Sequence, residues 1–342
     1  MSIPTQSPLQ ADAPAATMTA IVQDAYGISP EEVLRLDDVA RPVIAADQIL
    51  VRVRAASVDR GTWHELAGLP YPVRLAGFGL RAPKATNPGR NFAGIVESAG
   101  KDVTEVKPGD EVYGTCEGAF AQFARTRASR IAPKPANLTF EQAAAVPVSA
   151  LTALQAVRDQ AHVQPGQQVL IIGASGGVGT FAVQIAKDLG GEVTGVCSAA
   201  KADLVRSIGA DHVIDYASTD FTDGSHRYDV ILDTGGNRSL AQLRRALAPS
   251  GTLVIIGGET DGRWLGGSDR QLRALLLSPM VKQKLGTFMA SENSADLMIL
   301  RDLLESGKVT PVIDVAYPLA QTAAAIRHVQ EGRARGKVVI TV

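Results

Sequence analysis

The sequence has little cysteine, no long apolar run and almost no net charge, and each shortage removes a class of function. Two cysteines, Cys116 and Cys197, stand far apart in 342 residues. They cannot build a four-thiolate zinc site or a disulfide framework, so a reduced, cytoplasmic setting is expected. No apolar stretch approaches the roughly 20 residues that span a bilayer. A formal net charge of −1 gives no electrostatic case for nucleic acid or an anionic membrane as partner. The first seventeen residues lack apolar periodicity, a basic start and a signal-type apolar core, and no arginine precedes Arg35. Residues 1–17 therefore read as a disordered tail.

What remains is 45% hydrophobic and 20% charged, the make-up of a soluble α/β protein long enough for two domains. The stretch that organises it is VLIIGASGGVGTFAVQIAKDLG, Val169 to Gly190. Val169 to Ile172 is a short β-branched run of the kind that buries in a parallel sheet. A glycine turn, Gly173 to Gly179, follows. Phe181, Val183, Ile185, Ala186 and Leu189 then repeat at helical spacing, and Gly190 stops the helix. Strand, turn and helix in that order gather backbone N–H groups and a positive helix end at one spot, which suits a pyrophosphate. Gly176 and Gly179 match the second and third glycines of the dinucleotide fingerprint, while Ala174 stands in place of the first. The candidate cradle is Ala174, Ser175, Gly176, Gly177, Val178 and Gly179.

Along the chain, residues 18 to about 130 predict short strands at 19–23, 48–54, 91–98, 111–114 and 119–125, with few helices. Residues 141–160 read as helix interrupted near Pro147. Strands at 169–172, 192–197, 212–215, 229–233, 252–257 and 285–289 then alternate with helices. Alternation of that kind marks a parallel sheet wound on both faces. Helices at 295–305 and 320–330, with strands at 312–315 and 337–341, are too few for a third domain. They are expected to complete the first. The predicted division is 18–149 with 291–342 as the β-rich domain, 150–290 as the nucleotide domain, and a substrate cleft between them.

NAD-preferring sites end the second strand on Asp or Glu, which accepts from the ribose 2′-OH. Here that strand ends in Cys197 and Ser198 without a carboxylate, and Lys201 follows. A Ser and a Lys can hold a 2′-phosphate, each charged hydrogen bond contributing about 1.5–3 kcal/mol. The plainer alternatives are an N-cap for Ser198 and a solvated helix position for Lys201. NADPH is the expected cofactor.

The segments GRNFAGIVESAG, VKPGDEVYGT, AAAVPVSALTALQAV, GASGGVG and GADHVIDY, in that order, resemble the medium-chain dehydrogenase/reductase superfamily. The likeness is strongest to its zinc-independent quinone-oxidoreductase (zeta-crystallin-like) branch and covers Met18 to Val342. It implies a Rossmann doubly wound sheet, a GroES-like β-rich domain, NAD(P)H and a homodimer. It places Thr152 near the nicotinamide and adds Tyr216 to Ser198 and Lys201 at the 2′-phosphate. Gly257, Thr287 and Phe288 would bracket the nicotinamide ring. For Tyr216, a half-buried aromatic at a strand end is the rival reading.

Zinc-using relatives carry a cysteine where this chain has Asp59 and a Gly-His-Glu triplet at Gly89, Arg90 and Asn91. Arg90 cannot ligate, since guanidinium stays protonated, and no cysteine sits near Val148, where a third ligand is expected. No metal is expected. Quinone reductases usually have asparagine at the place of Asp59, so a pairing of Asp59 with Arg90 on the cleft floor is one expectation and substrate orientation another. Asp59, Arg60, Thr62 and Arg90 are the candidate catalytic residues. Together these readings point to an NADPH-dependent, zinc-independent reductase of quinones or α,β-unsaturated carbonyls. Its rivals are an NADP-dependent alcohol dehydrogenase without zinc and a non-catalytic NADPH-binding sensor or structural protein. The apolar segment 63–85, with Leu66, Leu69, Tyr71, Val73, Leu75, Phe78 and Leu80, reads either as a cap over substrate or as a contact loop. Arg74, Arg81 and Lys84 are its expected solvated face.

Overall fold

The computed structural model describes residues 16–75, 79–257, 264 and 266–342. Of the expected tail over residues 1–17, residues 1–15 lie outside the described residues, as does Phe78, while Thr17 departs from the expectation by opening a strand paired with Ala40. Among the described residues no helix is long and apolar enough to cross a membrane.

The chain opens with β1 (Thr17–Gln23), one turn of α1 (Pro30–Val33) and β2 (Leu34–Ala40), which pairs antiparallel with β1. β2 was not predicted, because it carries adjacent Asp37 and Asp38 and is mostly exposed. Next come β3 (Gln48–Val58), α2 (Arg60–Ala67), β4 (Asn91–Ala99), β5 (Glu111–Thr115), β6 (Phe123–Arg127) and β7 (Ile131–Pro133). The helix α2 is a second departure from the predicted strands. Its sequence RGTWHELA is mostly polar, so no apolar stripe announces it, and Gly68 at φ 59 stops it. Pro147 divides the next helical stretch as predicted, into α3 (Phe140–Ala144) and α4 (Pro147–Gln155).

Alternation then sets in. β8 (Gln168–Ile172), α5 (Gly177–Asp188), β9 (Glu192–Cys197), α6 (Ala202–Ser207) and β10 (His212–Asp215) form the first half. β11 (Tyr228–Asp233), α7 (Leu240–Ala246), β12 (Leu247–Ile255), α8 (Ser268–Leu277) and β13 (Lys284–Thr287) form the second. The chain ends with α9 (Ser294–Glu305), β14 (Ile313–Pro318), α10 (Thr322–Gln330) and β15 (Lys337–Thr341). Phe288 lies just past β13 rather than within it.

Two large sheets result. The six-stranded one runs β10-β9-β8-β11-β12-β13, parallel throughout, the order of a doubly wound dinucleotide fold. The seven-stranded one runs β14-β15-β3-β4-β5-β7, with β6 on β3, so the last two strands rejoin the first. One buried cluster runs from Ala55, Ala93 and Tyr113 through α4 to Phe181 and Val230. Helix α4 is thus buried on nearly every side and forms the wall that both sheets share. On α5, Phe181 and Ile185 are buried, each contributing about 1.5–3 kcal/mol.

Candidate functional site

The topological switch of the parallel sheet falls at β8, whose neighbours β9 and β11 lead away in opposite directions. Ligands of such sheets sit in the crevice at that point, beyond the strand ends. The glycine loop leaves β8 there. Gly173 takes φ +80, Gly176 caps α5, and the first-turn N–H groups of Gly177, Val178 and Gly179 have no intrahelical acceptor. At Gly179 an added Cβ would stand 2.1 Å from the Gly173 carbonyl oxygen, so the helix start can approach the loop only without a side chain. At Gly176 it would meet only the Gly173 oxygen, at 3.3 Å, which leaves that backbone open to a ligand. Ala174, in place of the first glycine, is buried, with its Cβ 3.0 Å from where a Cβ on Gly195 would lie. The cradle fits a pyrophosphate.

The neighbouring strand ends supply the rest. Ser198 follows β9 and makes no capping hydrogen bond, which leaves its hydroxyl outside the N-cap role. Lys201 donates from Nζ to the carbonyls of Gly332 at 3.0 Å and Ala334 at 2.7 Å. Burial lowers its pKa, Asp314 opposes that, and Arg335 adds to it. Arg335, which the sequence reading passed over, is therefore a second cation at this corner. Tyr216 follows the end of β10, is tied by its N–H to the Cys197 carbonyl, and is 49% exposed, as the half-buried reading has it.

On the other side of β8, Asp233 ends β11 and is fully buried. Its Oδ1 accepts from the N–H groups of Gly235 and Gly236, while Arg270 lies 2.8 Å from Oδ2. Burial raises its pKa despite Arg270. Arg270 also donates to the Gly257 carbonyl at 3.0 Å. At Gly257 a Cβ would strike the Thr234 carbonyl at 2.4 Å, so the β11 and β12 loops meet backbone to backbone. Thr287 pairs in register with Ile255, which puts Thr287 and Phe288 at the same edge. Thr152 sits on α4 and donates to the Val148 carbonyl at 2.7 Å.

A floor of side chains lies beside this crevice. Asp59 Oδ2 accepts from Asn91 Nδ2, and Asn91 Oδ1 accepts from the Val148 N–H at 2.8 Å. Lys337 Nζ stands 3.9 Å from Asp59 and donates to Ser149 Oγ at 3.0 Å. Thr62 is buried, and its Oγ1 faces the Asp59 N–H at 3.5 Å, which serves the start of α2 rather than a ligand. Arg60 turns away, donating to the Gln330 carbonyl at 2.9 Å and stacking on Trp63.

Arg90 corrects one expectation. It pairs with Glu292 at 2.6 Å and Glu65 at 3.1 Å rather than with Asp59, which Asn91 holds instead. Glu292 also accepts from Thr115 Oγ1 at 2.9 Å. Burial raises the Glu65 pKa, and Arg90 pulls it back only in part. Arg74 corrects another. It lies between the rings of Tyr26 and Tyr71 instead of on a solvated face. Tyr71 in turn meets Trp264 edge-on at 5.2 Å, joining segment 63–85 to the loop after β12.

The donor set does not fit a zinc ion. Arg90 and Asn91 occupy two of the expected ligand places, and Asp59 faces an amide and an ammonium. Among the described residues no group of three His, Cys, Asp or Glu side chains comes together. A cavity of about 700 Å³, bordered by Tyr26, Glu65, Arg90, Cys116 and Arg125, opens in the first lobe and not over the glycine loop. The nucleotide assignment therefore rests on backbone donors, not on cavity size.

Comparison with known proteins agrees with this geometry. The alcohol dehydrogenase GroES-like domain family matches residues 45–136, and the zinc-binding dehydrogenase family matches residues 208–340. The 2-methylene-furan-3-one reductase of Solanum lycopersicum is 32% identical over 325 residues, covering 90% of this chain and 76% of its own. The mitochondrial NAD(P)H oxidoreductase RTN4IP1 of Bos taurus is 33% identical over 363 residues, covering 95% and 89%. The solved quinone oxidoreductase from Coxiella burnetii superposes with a TM-score of 0.81 at 28% identity, covering 96% of this chain and 100% of the other. Fold and crevice define a nucleotide-dependent oxidoreductase. The chain belongs to the medium-chain dehydrogenase/reductase superfamily, in the zeta-crystallin-like branch of quinone and enone oxidoreductases.

Proposed function

We propose that this protein is an NADPH-dependent reductase of quinones or α,β-unsaturated carbonyls that works without a metal. The carrying observation is the corner at the end of β9, where Ser198, Lys201, Tyr216 and Arg335 gather and the strand ends without a carboxylate. That corner favours a 2′-phosphate over a free 2′-OH. Bound NADPH would supply a hydride to the β-carbon of a conjugated carbonyl or to a quinone.

The chain does the positioning. The N–H groups at the start of α5 hold the pyrophosphate, and Thr152, Gly257, Thr287 and Phe288 border the ring that carries the hydride. Charge building on the substrate oxygen needs donors. Arg90 gives three N–H contacts to its two carboxylates and keeps two of its five N–H groups for that oxygen. Binding both partners in register can supply about 7–11 kcal/mol of the barrier.

A second copy of the chain is part of the proposal. β13 is the outer strand of the parallel sheet, and Leu275, Leu276, Met280 and Met289 are exposed around it. Such an open edge invites pairing. Both cysteines are buried and free, in keeping with a reduced cytoplasmic setting. The test is cofactor consumption against a panel of quinones, enals and enones, with NADPH or NADH, with and without chelator. Turnover that prefers NADPH and ignores chelator is expected. NADH preference, or loss of activity on chelation, would overturn the reading. Light scattering in solution reports the dimer, and a monomer at micromolar concentration removes that part.

A further inference from the structure

A buried lysine closes a circuit between the two halves of the site. Lys337 opens β15 and is 1% exposed. Its ammonium donates to Ser149 Oγ and faces Asp59, Asp59 accepts from Asn91, and Asn91 accepts from the N–H of Val148, the residue before Ser149. The ring of contacts thus returns to its start.

The same lysine reaches the glycine loop. A Cβ on Gly177, the first residue of α5, would lie 3.1 Å from Lys337 Cδ and 3.3 Å from Ser149 Oγ. The Gly336 N–H donates to the Ser175 carbonyl at 2.9 Å, and the Lys337 N–H donates to the Val312 carbonyl at 2.8 Å. Gly336 takes φ +91, and a Cβ there would stand 2.4 Å from the Val312 oxygen, so the backbone has one path at this point. Nothing in β15 calls for a cation, since Val338, Val339 and Ile340 bury as plain hydrocarbon. An ammonium in that place is costly to desolvate, and a methionine of similar length would escape the cost.

We propose that Lys337 is a positioning residue for hydride transfer, fixing the separation between the glycine loop under the cofactor and the Asp59–Asn91 floor under the substrate. The proposal rests on the reductase reading above. Lys337 does not itself touch the reacting atoms. It acts through Ser149 and Asp59, and a shift of an ångström between the two halves is enough to slow transfer about 100-fold.

Lys337→Met removes the charge and keeps the length. We expect kcat to fall about tenfold to a hundredfold, with KM for the substrate and the dissociation constant of NADPH little changed. Ser149→Ala, which keeps the lysine and removes its acceptor, should lower kcat in the same sense and guards against a Lys337→Met chain that fails to fold. A readout independent of turnover is the melting temperature of the nucleotide-free protein in a cycle with Asp59→Asn. Each single variant leaves one buried partner alone, so the double variant should melt higher than the two separate shifts predict. Additive shifts would overturn the proposal. So would a loss of NADPH affinity equal to the loss in kcat/KM, which would make Lys337 a ligand of the cofactor. A wild-type protein that neither binds NADPH nor reduces any panel member sinks the reductase reading instead. The melting cycle still decides whether Lys337 and Asp59 are coupled.

Discussion

The nucleotide crevice is built of main chain, whereas the floor beside it is built of side chains. In the crevice the glycines at 173, 176, 177 and 179 bring amide groups together, and what matters is that nothing projects from them. On the floor, Asp59 from the cap of α2 meets Asn91 of β4, Ser149 of α4 and Lys337 of β15, and each is held by the others. A backbone site fails when something is added. A side-chain site fails when something is removed. Substitutions can test that contrast directly.

The largest effect is expected in the crevice. Gly179→Val puts a side chain 2.1 Å from one backbone atom and 2.8 Å from another, neither of which can move cheaply. It should cost more than about 3 kcal/mol in urea unfolding, above the usual range for overpacking. On the floor, Asn91→Leu keeps the volume but leaves the Val148 N–H and the Asp59 carboxylate without their partner. A loss of about 2–3 kcal/mol by the same measurement would match an unsatisfied buried group. If both substitutions cost the same small amount, the contrast between the two regions is wrong.

Two further changes sharpen it. Lys201→Ala should raise the dissociation constant of NADPH about tenfold to a hundredfold and leave that of NADH alone, as titration calorimetry would show. Equal losses for both nucleotides would mean that Lys201 only braces residues 332–334. Arg90→Met should cost about 1 kcal/mol, a figure held down by the 35% exposure of the arginine. Without Arg90, the Glu65 carboxyl, already pushed up by burial, rises further. A carboxyl whose folded pKa exceeds its unfolded value loses stability as pH climbs between the two, so the deficit should be greatest at neutral pH and shrink in acid. A pH-independent deficit would show that Glu65 does not feel the loss.

The same contrast explains what could be read in the sequence. The glycine loop occupies consecutive positions between a strand and a helix whose apolar spacing is plain, so the parallel sheet and its cradle were legible. Ser198 and Lys201 were legible because they follow β9 directly. Lys337 was not, since its neighbours Ser149 and Asp59 come close only after β15 has paired with β3. Glu292 escaped notice for the same reason, as it reaches Arg90 from the link before α9. Asp233 and Arg270 sit in strand and helix text that reads as ordinary until the loops fold over them. The helix α2 stayed hidden because its polar residues are spent inward, Glu65 on Arg90, Arg60 on the Gln330 carbonyl and Thr62 on the helix start, instead of marking a solvent side.

The closing of the first sheet has a consequence for how the molecule is made. Val338 sits opposite Val58, and Arg60 reaches a carbonyl 270 positions along the chain. Bringing such distant stretches together in a loose chain is slow, whereas β8, β9 and β10 are neighbours in sequence as well as in space. The parallel sheet can therefore form early, and its collapse shortens the tether between the ends that must meet. A nucleotide seated on that sheet would then favour the folded chain as a whole.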